Sequence, residues 1–205
     1  MRKPKLRELK EALRAVVLGP YTSPYPKGGH TPPDGFRGKP EFHENDCIGC
    51  AACAEVCPAL AIRVTDDRDA DPPTRRFALR YDKCIFCGQC ELNCTTKEGV
   101  KLSKTYDMST LDRSECVERI DHELILCEVC RAVVGTRKHL RWVAEQLGAK
   151  AYANPTLIVA ADGSMKLAAR DAGRPGEPAL ARNDTMRILC PACRRTNVIR
   201  ELWGE

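Results

Sequence analysis

The sequence predicts an α+β protein that metal centres, as well as a small apolar core, hold together. Thirteen of its 205 residues are cysteines, whereas aromatic residues make up only 5% of the chain. Mean hydropathy is −0.39, so a large apolar core is not expected. Because most cysteines stand in closely spaced groups between helix-like and strand-like segments, we expect them to bind metal.

An internal repeat carries eight of these cysteines. The run Cys-x2-Cys-x2-Cys-x3-Cys that begins at Cys47 recurs in register from Cys84. It is the pattern of bacterial two-cluster ferredoxins, in which the fourth cysteine of each run serves the other [4Fe-4S] cluster. Site 1 is therefore predicted to comprise Cys47, Cys50, Cys53 and Cys94. Site 2 is predicted to comprise Cys84, Cys87, Cys90 and Cys57.

Two other interpretations of the repeat, paired zinc sites and buried free thiols, are disfavoured. Structural zinc sites use paired knuckles, not triple Cys-x2-Cys-x2-Cys runs. Gly49 and Gly88 are predicted to let the loops approach the clusters closely. One departure is Thr95, which stands where the first run has Pro58.

The segment between the two runs predicts a β-hairpin. Its strands are Ala61–Val64 and Arg76–Tyr81, and an Asp- and Pro-rich loop joins them. The aspartates of this loop lack the spacing of an EF-hand, so a solvated loop is favoured over a calcium site.

Two Cys-x2-Cys knuckles in the C-terminal part predict a third metal site. Together they offer four thiolates for a tetrahedral site that suits zinc or a single rubredoxin-type iron, with a structural role. The alternatives are unrelated cysteine pairs or a redox dithiol. The predicted ligands of this four-cysteine site are Cys127, Cys130, Cys190 and Cys193.

The region that holds the knuckles also contains predicted secondary structure and a mobile loop. Lys138–Leu147 is predicted to be a helix and Thr156–Ala160 a strand. A mobile loop is predicted over Ala169–Asp184. Cys116 is expected to be a structural thiol, and none of the four histidines is assigned a role.

The N-terminal arm predicts a basic amphipathic helix over Lys3–Leu18, followed by a Pro- and Gly-rich strap to Pro40. Such a helix suits a membrane surface or a groove on a partner, and packing on its own domain is the alternative. The predicted domains are the arm (1–40), a two-cluster ferredoxin-like domain (41–108) and the four-cysteine module (109–205). Neither a secretory signal nor a membrane span is evident, so the reducing cytoplasm is expected.

These motifs resemble a known family of iron–sulfur subunits. The arm's Phe36-Arg37-Gly38-Lys39-Pro40 and both cysteine runs look like the two-cluster subunit shared by respiratory complex I and group 4 [NiFe] hydrogenases. The two knuckles are similar to those of the ferredoxin-like subunit of formate hydrogenlyase and hydrogenase-4, a tail that the complex I subunit normally lacks. From Lys150 to Met186 the chain matches no part of this family.

The resemblance implies an electron relay with no catalytic residues. Its partners would be an upstream iron–sulfur subunit and the hydrogenase small subunit, with peripheral contact to membrane subunits. The chain would then lie on the cytoplasmic face of the inner membrane. The complex I subunit is the nearest alternative, and a zinc-ribbon-containing regulatory protein and a diffusible ferredoxin are more distant ones.

Nucleic acid is not an expected partner, although the formal net charge is +5. Two bound clusters with their thiolates would offset most of that charge. The basic residues also do not form one run interleaved with aromatic residues.

Overall fold

The computed structural model describes residues 5–19, 22, 25, 27–161 and 186–203. The chain divides into two compact units, Met1–Phe36 and Arg37–Glu205, which are described separately. Within the described residues, no helix is both long and apolar enough to cross a lipid bilayer.

The first unit contains helix α1, Leu6–Leu18, so the predicted N-terminal helix is confirmed over those residues. The backbone N–H of Lys5 donates a hydrogen bond to the Glu8 carboxylate at 3.0 Å, which satisfies one of the free donors at the helix start. Gly19 follows the helix with a φ of 80°, which favours glycine. No side chain of α1 is buried, and its apolar stripe is solvent-exposed.

A four-stranded antiparallel sheet forms the centre of the second unit, with strand order β2-β3-β5-β6. Its strands are β2 (Ile62–Asp67), β3 (Thr74–Arg80), β5 (Val117–Leu126) and β6 (Val133–Thr136). The predicted hairpin is confirmed as β2 and β3, and Ile62 pairs with Leu79. Its loop is shorter than predicted, since β2 continues to Asp67 and β3 begins at Thr74.

Two short strands, β1 (Pro40–Phe42) and β4 (Val100–Leu102), pair with each other in antiparallel register. They bring the start of the unit beside the end of the second cysteine run. Gly38 lies in this junction, where its backbone N–H donates to the Ser103 carbonyl at 3.1 Å. A Cβ at Gly38 would come within 2.4 Å of that carbonyl, so only glycine fits here.

The apolar core lies on one face of the sheet. Phe77 and Leu79, two residues apart on β3, are essentially inaccessible to solvent, as strand alternation requires. The Phe77 ring meets the Phe42 ring edge-on at 6.1 Å and the His122 ring at 5.7 Å. Core packing thereby joins the ferredoxin-like hairpin to β5, which lies beyond the second cysteine run.

The C-terminal elements are α4 (Arg137–Leu147), α5 (Pro155–Ala161) and α6 (Pro191–Trp203). The predicted helix Lys138–Leu147 is therefore confirmed. The strand predicted at Thr156–Ala160 is wrong, because these residues form α5. Pro155 is well suited to the first turn of a helix, and Leu157 and Ala160, three residues apart, are both buried. The loop predicted at Ala169–Asp184 lies outside the described residues.

Candidate metal centres

The two cysteine runs adopt the same backbone conformation. Each run wraps into a loop and then enters a short helix, α2 (Ala52–Glu55) or α3 (Gln89–Leu92). Two residues of each loop have positive φ: Gly49 (70°) and Ala51 (69°) in the first, Phe86 (53°) and Gly88 (77°) in the second. Ala51 and Phe86 hold a conformation that is costly for residues with a side chain, as is common at functional sites.

Each loop borders its own cavity, and each cavity is lined by four cysteines. One is lined by Cys47, Cys50, Cys53 and Cys94. The other is lined by Cys57, Cys84, Cys87 and Cys90. The last cysteine of each run therefore lies beside the first three of the other, which is the grouping that the sequence predicts for site 1 and site 2.

Both cavities suit an iron–sulfur cluster chemically. Burial, together with the neighbouring cysteines, raises the pKa of Cys53 to about 12. Burial likewise raises the pKa of Cys90 to about 11. Four thiolates crowded in such a site repel one another, so they need bound cations to remain charged. Iron ions of a cluster supply that charge, and the apolar walls exclude water.

Threonines follow Cys94 where the motif usually has proline. The Thr95 hydroxyl lies 3.2 Å from the Cys50 sulfur, and the Thr96 hydroxyl lies 3.5 Å from the Cys94 sulfur. Burial alone would raise the pKa of Cys94, but hydrogen bonds from Thr96 and neighbouring backbone groups lower it below its usual value. Thr95 thus contributes a polar contact to site 1, which the sequence did not indicate.

The site 1 loop, residues 44–50, is contacted by side chains from the distant sheet and helix. The Thr136 hydroxyl donates to the Ile48 carbonyl, and Lys138 Nζ donates to the Glu44 carbonyl. Arg75 Nη1 donates to the Gly49 carbonyl at 3.2 Å. A Cβ at Gly49 would lie 2.8 Å from Thr136 Cγ2 and 3.0 Å from the His122 ring, so the loop is packed tightly against the sheet.

His122 is a buried residue whose place the sequence did not reveal. His122 is 4% exposed, and within the described part of the chain its Nε2 has no hydrogen-bond partner. Burial, together with the nearby positive charge of Lys138, lowers the pKa of His122 to about 4. The ring is therefore neutral at physiological pH and packs between Phe77 and the site 1 loop.

The four cysteines of the two knuckles come together although up to 66 residues separate them. All four sulfur atoms lie within 4.8 Å of one another, as a tetrahedral metal shell requires. Cys127 and Cys190 are buried, whereas Cys130 is exposed. Burial would raise the pKa of Cys127, but backbone N–H groups, Cys130's first among them, lower it to about 7. Burial and the neighbouring thiols raise the pKa of Cys193.

Contacts between the knuckles hold this four-cysteine site in shape. The Glu128 backbone N–H donates to the Ile188 carbonyl at 3.0 Å, and Arg187 Nε donates to the Glu128 carboxylate at 2.9 Å. Leu189, 1% exposed, packs beside Cys127 and Cys190. Cys116 is half-buried against the main core and is not part of the four-cysteine group.

Comparison with known proteins places this geometry among iron–sulfur subunits. The 4Fe-4S dicluster domain family matches residues 46–98, and its description supports two [4Fe-4S] clusters. Formate hydrogenlyase subunit 6 of Escherichia coli is 34% identical over 127 residues, which cover 62% of this chain and 69% of that protein. NADH-quinone oxidoreductase subunit I 2 of Geobacter metallireducens is 29% identical over 120 residues, covering 56% and 91%.

A solved structure of the membrane-bound sulfane sulfur reductase, an archaeal respiratory membrane complex, contains a chain that is 28% identical to this one. The match covers 57% of this chain and 61% of that chain, with a TM-score of 0.38. The curated relatives, with the crossed grouping of eight cysteines, identify the family. This chain belongs to the family of two-[4Fe-4S] subunits that includes formate hydrogenlyase subunit 6 and NADH-quinone oxidoreductase subunit I.

Proposed function

We propose that this chain is a non-catalytic electron-transfer subunit, which relays electrons through two [4Fe-4S] clusters within a membrane-associated [NiFe] hydrogenase complex. The relationship to formate hydrogenlyase subunit 6 is the observation that carries the choice of complex. The two four-cysteine cavities support the relay, because they give the chain two sites rather than one.

The residues of the chain hold, shield and space the two sites. The proposed ligands are the cysteines of site 1 and site 2 as grouped above, and a bound [4Fe-4S] cluster supplies a one-electron couple at each. Phe42, Phe77 and Val100 line the site 1 cavity and keep water away from it. Because α2 and α3 pack against each other and each run contributes one cysteine to the other site, the two sites are held as neighbours.

The four-cysteine site is proposed to bind one zinc or one rubredoxin-type iron with a structural role. Four protein thiolates fill a tetrahedral shell and leave no position for a substrate. The site joins residues before and after the long segment that follows α5. Metal binding at such a site also stabilises the fold, so a bound metal should order the C-terminal segment that contains the two knuckles.

The proposed partners are an upstream iron–sulfur subunit, the hydrogenase small subunit and membrane subunits, with this chain peripheral on the cytoplasmic face of the inner membrane. Exposed apolar side chains beside site 2 support a docking role there, because Leu60 is 78% and Ile85 62% exposed. The exposed apolar stripe of α1 supports a contact with a membrane subunit or the membrane surface. The division into segments 1–40, 41–108 and 109–205 stays a prediction.

The complex I alternative is not favoured, although relatives of that class are similar in sequence. The paired knuckles are the feature by which the formate hydrogenlyase type differs from it. A regulatory protein with a zinc ribbon is also not favoured, because the curated relatives are electron-transfer subunits.

Affinity purification of the full chain from its native host tests the proposed complex. We expect a nickel–iron large subunit to co-purify, and hydrogen gas to reduce the clusters of the purified complex. Co-purification of NADH dehydrogenase subunits without any nickel–iron protein would instead support the complex I alternative. Recovery of the chain alone, with no partner subunit, would overturn the proposal.

A further inference from the structure

The two cluster sites differ in the positive charge placed behind them. Two cationic side chains from outside the cysteine runs, Arg75 and Lys138, donate hydrogen bonds to backbone carbonyls of the site 1 loop. The site 2 loop accepts a comparable bond from Arg37, whose Nη1 lies 3.3 Å from the Cys87 carbonyl. Arg37 is solvent-exposed, so water and salt screen its charge more strongly than that of a buried cation.

Arg75 is held rigidly against the site 1 loop. Its side chain is only 16% exposed. Nε and Nη2 bind the two carboxylate oxygens of Asp66 at 2.7 and 2.8 Å, while Nη1 reaches the Gly49 carbonyl. The guanidinium therefore projects toward the cysteine loop, and the balancing carboxylate lies on its other side. Such a fixed ion pair presents its positive end to site 1.

Lys138 adds a second positive charge, whose effect on site 1 is weaker. Its Nζ donates to the Glu44 carbonyl at the start of the loop. The residue is solvent-exposed, so its effect should be smaller than that of Arg75. Both cations come from elements beyond the runs, Arg75 from β3 and Lys138 from α4.

We propose that Arg75, assisted by Lys138, is a positioning residue that raises the reduction potential of site 1 above that of site 2. The inference rests on the proposed two-cluster relay. Reduction adds one negative charge to a cluster, and a nearby fixed cation in a poorly solvated position stabilises the reduced form. At equilibrium an electron shared by the two sites then resides on site 1.

A potentiometric titration of the holoprotein, followed by low-temperature EPR, tests this inference. Arg75→Gln removes the charge and keeps a polar side chain with N–H donors. We expect the ratio of reduced to oxidised cluster at site 1, relative to that at site 2, to fall about tenfold at a fixed potential, which is about 59 mV for a one-electron couple. A Cys50→Ser variant identifies the signal of site 1, because it changes one ligand of that site alone.

Arg76 on the same strand supplies a matched control. It also binds a carboxylate through two nitrogens, with Nη2 at 2.8 Å from Asp121, but its side chain is 58% exposed and faces away from the loop. Arg76→Gln should leave both potentials unchanged. Arg75→Lys should retain most of the site 1 potential, because it keeps the charge.

Asp66→Asn distinguishes the effect of the Arg75 charge from the effect of disturbing the structure around it. Removing the carboxylate leaves the Arg75 cation unbalanced, so the site 1 potential should rise, opposite to the effect of Arg75→Gln. The inference is overturned if Arg75→Gln leaves the site 1 potential unchanged, if both sites shift equally, or if Arg75→Lys shifts it as far as Arg75→Gln. If the Arg75→Gln protein does not assemble its clusters, the direction of the shift in the site 1 potential of the Asp66→Asn protein tests the inference by itself. Iron analysis of the unmutated protein shows separately whether the two-cluster relay itself fails.

Discussion

Replacing Thr136 with valine removes one oxygen that serves two parts of the molecule. The Thr136 hydroxyl donates a hydrogen bond to the Ile48 carbonyl in the site 1 loop, and it accepts one from the His139 backbone N–H at 3.2 Å. The first bond fastens the loop to the sheet, and the second caps the start of α4. Thr136 is fully buried, so water cannot replace either bond. Valine keeps nearly the same shape, which isolates the loss of the oxygen.

The expected loss of stability follows from these two bonds. Removing a side-chain helix cap costs about 1 kcal/mol. Leaving a buried carbonyl without a donor costs about 1–3 kcal/mol. Thr136→Val should therefore lower the free energy of unfolding by about 2–4 kcal/mol. Thr136→Ser keeps the hydroxyl and loses only the methyl group that packs on Gly49, so it should cost about 1 kcal/mol.

Anaerobic urea unfolding of the holoprotein, followed by circular dichroism, measures both variants. We expect the valine variant to unfold at a lower urea concentration than the serine variant. The dependence of the free energy of unfolding on urea concentration should be the same for both. Iron should also dissociate faster from the valine variant, since the site 1 loop has lost its attachment. Equal destabilisation by the two substitutions would contradict the dual role of the hydroxyl, because the methyl group alone would then account for the effect.

Three further predictions concern the sites and the buried histidine. Gly49→Ala should reduce the iron content of the purified protein more than Gly88→Ala. The Cβ added at Gly49 would lie 2.8 Å from Thr136, whereas a Cβ at Gly88 would lie 3.3 Å from Leu102. Equal iron loss from the two variants would refute this prediction. Cys193→Ala should lose one metal equivalent by elemental analysis while the EPR signals of both clusters persist; loss of those signals would show that the third metal supports the clusters. The pKa of His122 is about 4 in the folded protein and near 6.5 in the unfolded chain. Between these pH values the unfolded chain binds more protons than the folded protein, so the free energy of unfolding should fall as the pH drops from about 6.5 to 4. His122→Phe should flatten this part of the pH profile, and an unchanged profile would contradict the assignment.

The sequence predicts the cysteine groups well, because their chemistry depends on short spacings. Three cysteines two residues apart and a fourth after three more residues define each loop, and the crossed pattern predicts which cysteines share a cavity. The hairpin and α4 were also predictable, since each has a clear apolar period. The strand predicted at Thr156–Ala160 is wrong because a run of five residues, mostly apolar, is compatible with either a strand or a buried helix, and its length does not distinguish them.

The contacts behind site 1 were not predictable from the sequence. Thr136 and Ile48 are 88 residues apart, and Arg75 and Gly49 are 26 apart, so no local pattern links them. His122 looked like an isolated histidine, and only the pairing of β3 with β5 places it against the loop. The positive φ of Phe86 is not evident from the residue itself, because phenylalanine rarely adopts this conformation; the one signal is that the equivalent position in the first run is Gly49.

Iron and sulfide analysis of the anaerobically purified chain, combined with low-temperature EPR of the reduced protein, tests the central claim most directly. Two crossed sites predict about eight irons and about eight sulfides per chain in two [4Fe-4S] clusters, apart from any metal at the four-cysteine site. On full reduction, neighbouring clusters should give an EPR spectrum broadened by their magnetic interaction. About four irons in a single cluster, or zinc in place of iron at site 1 and site 2, would contradict the account.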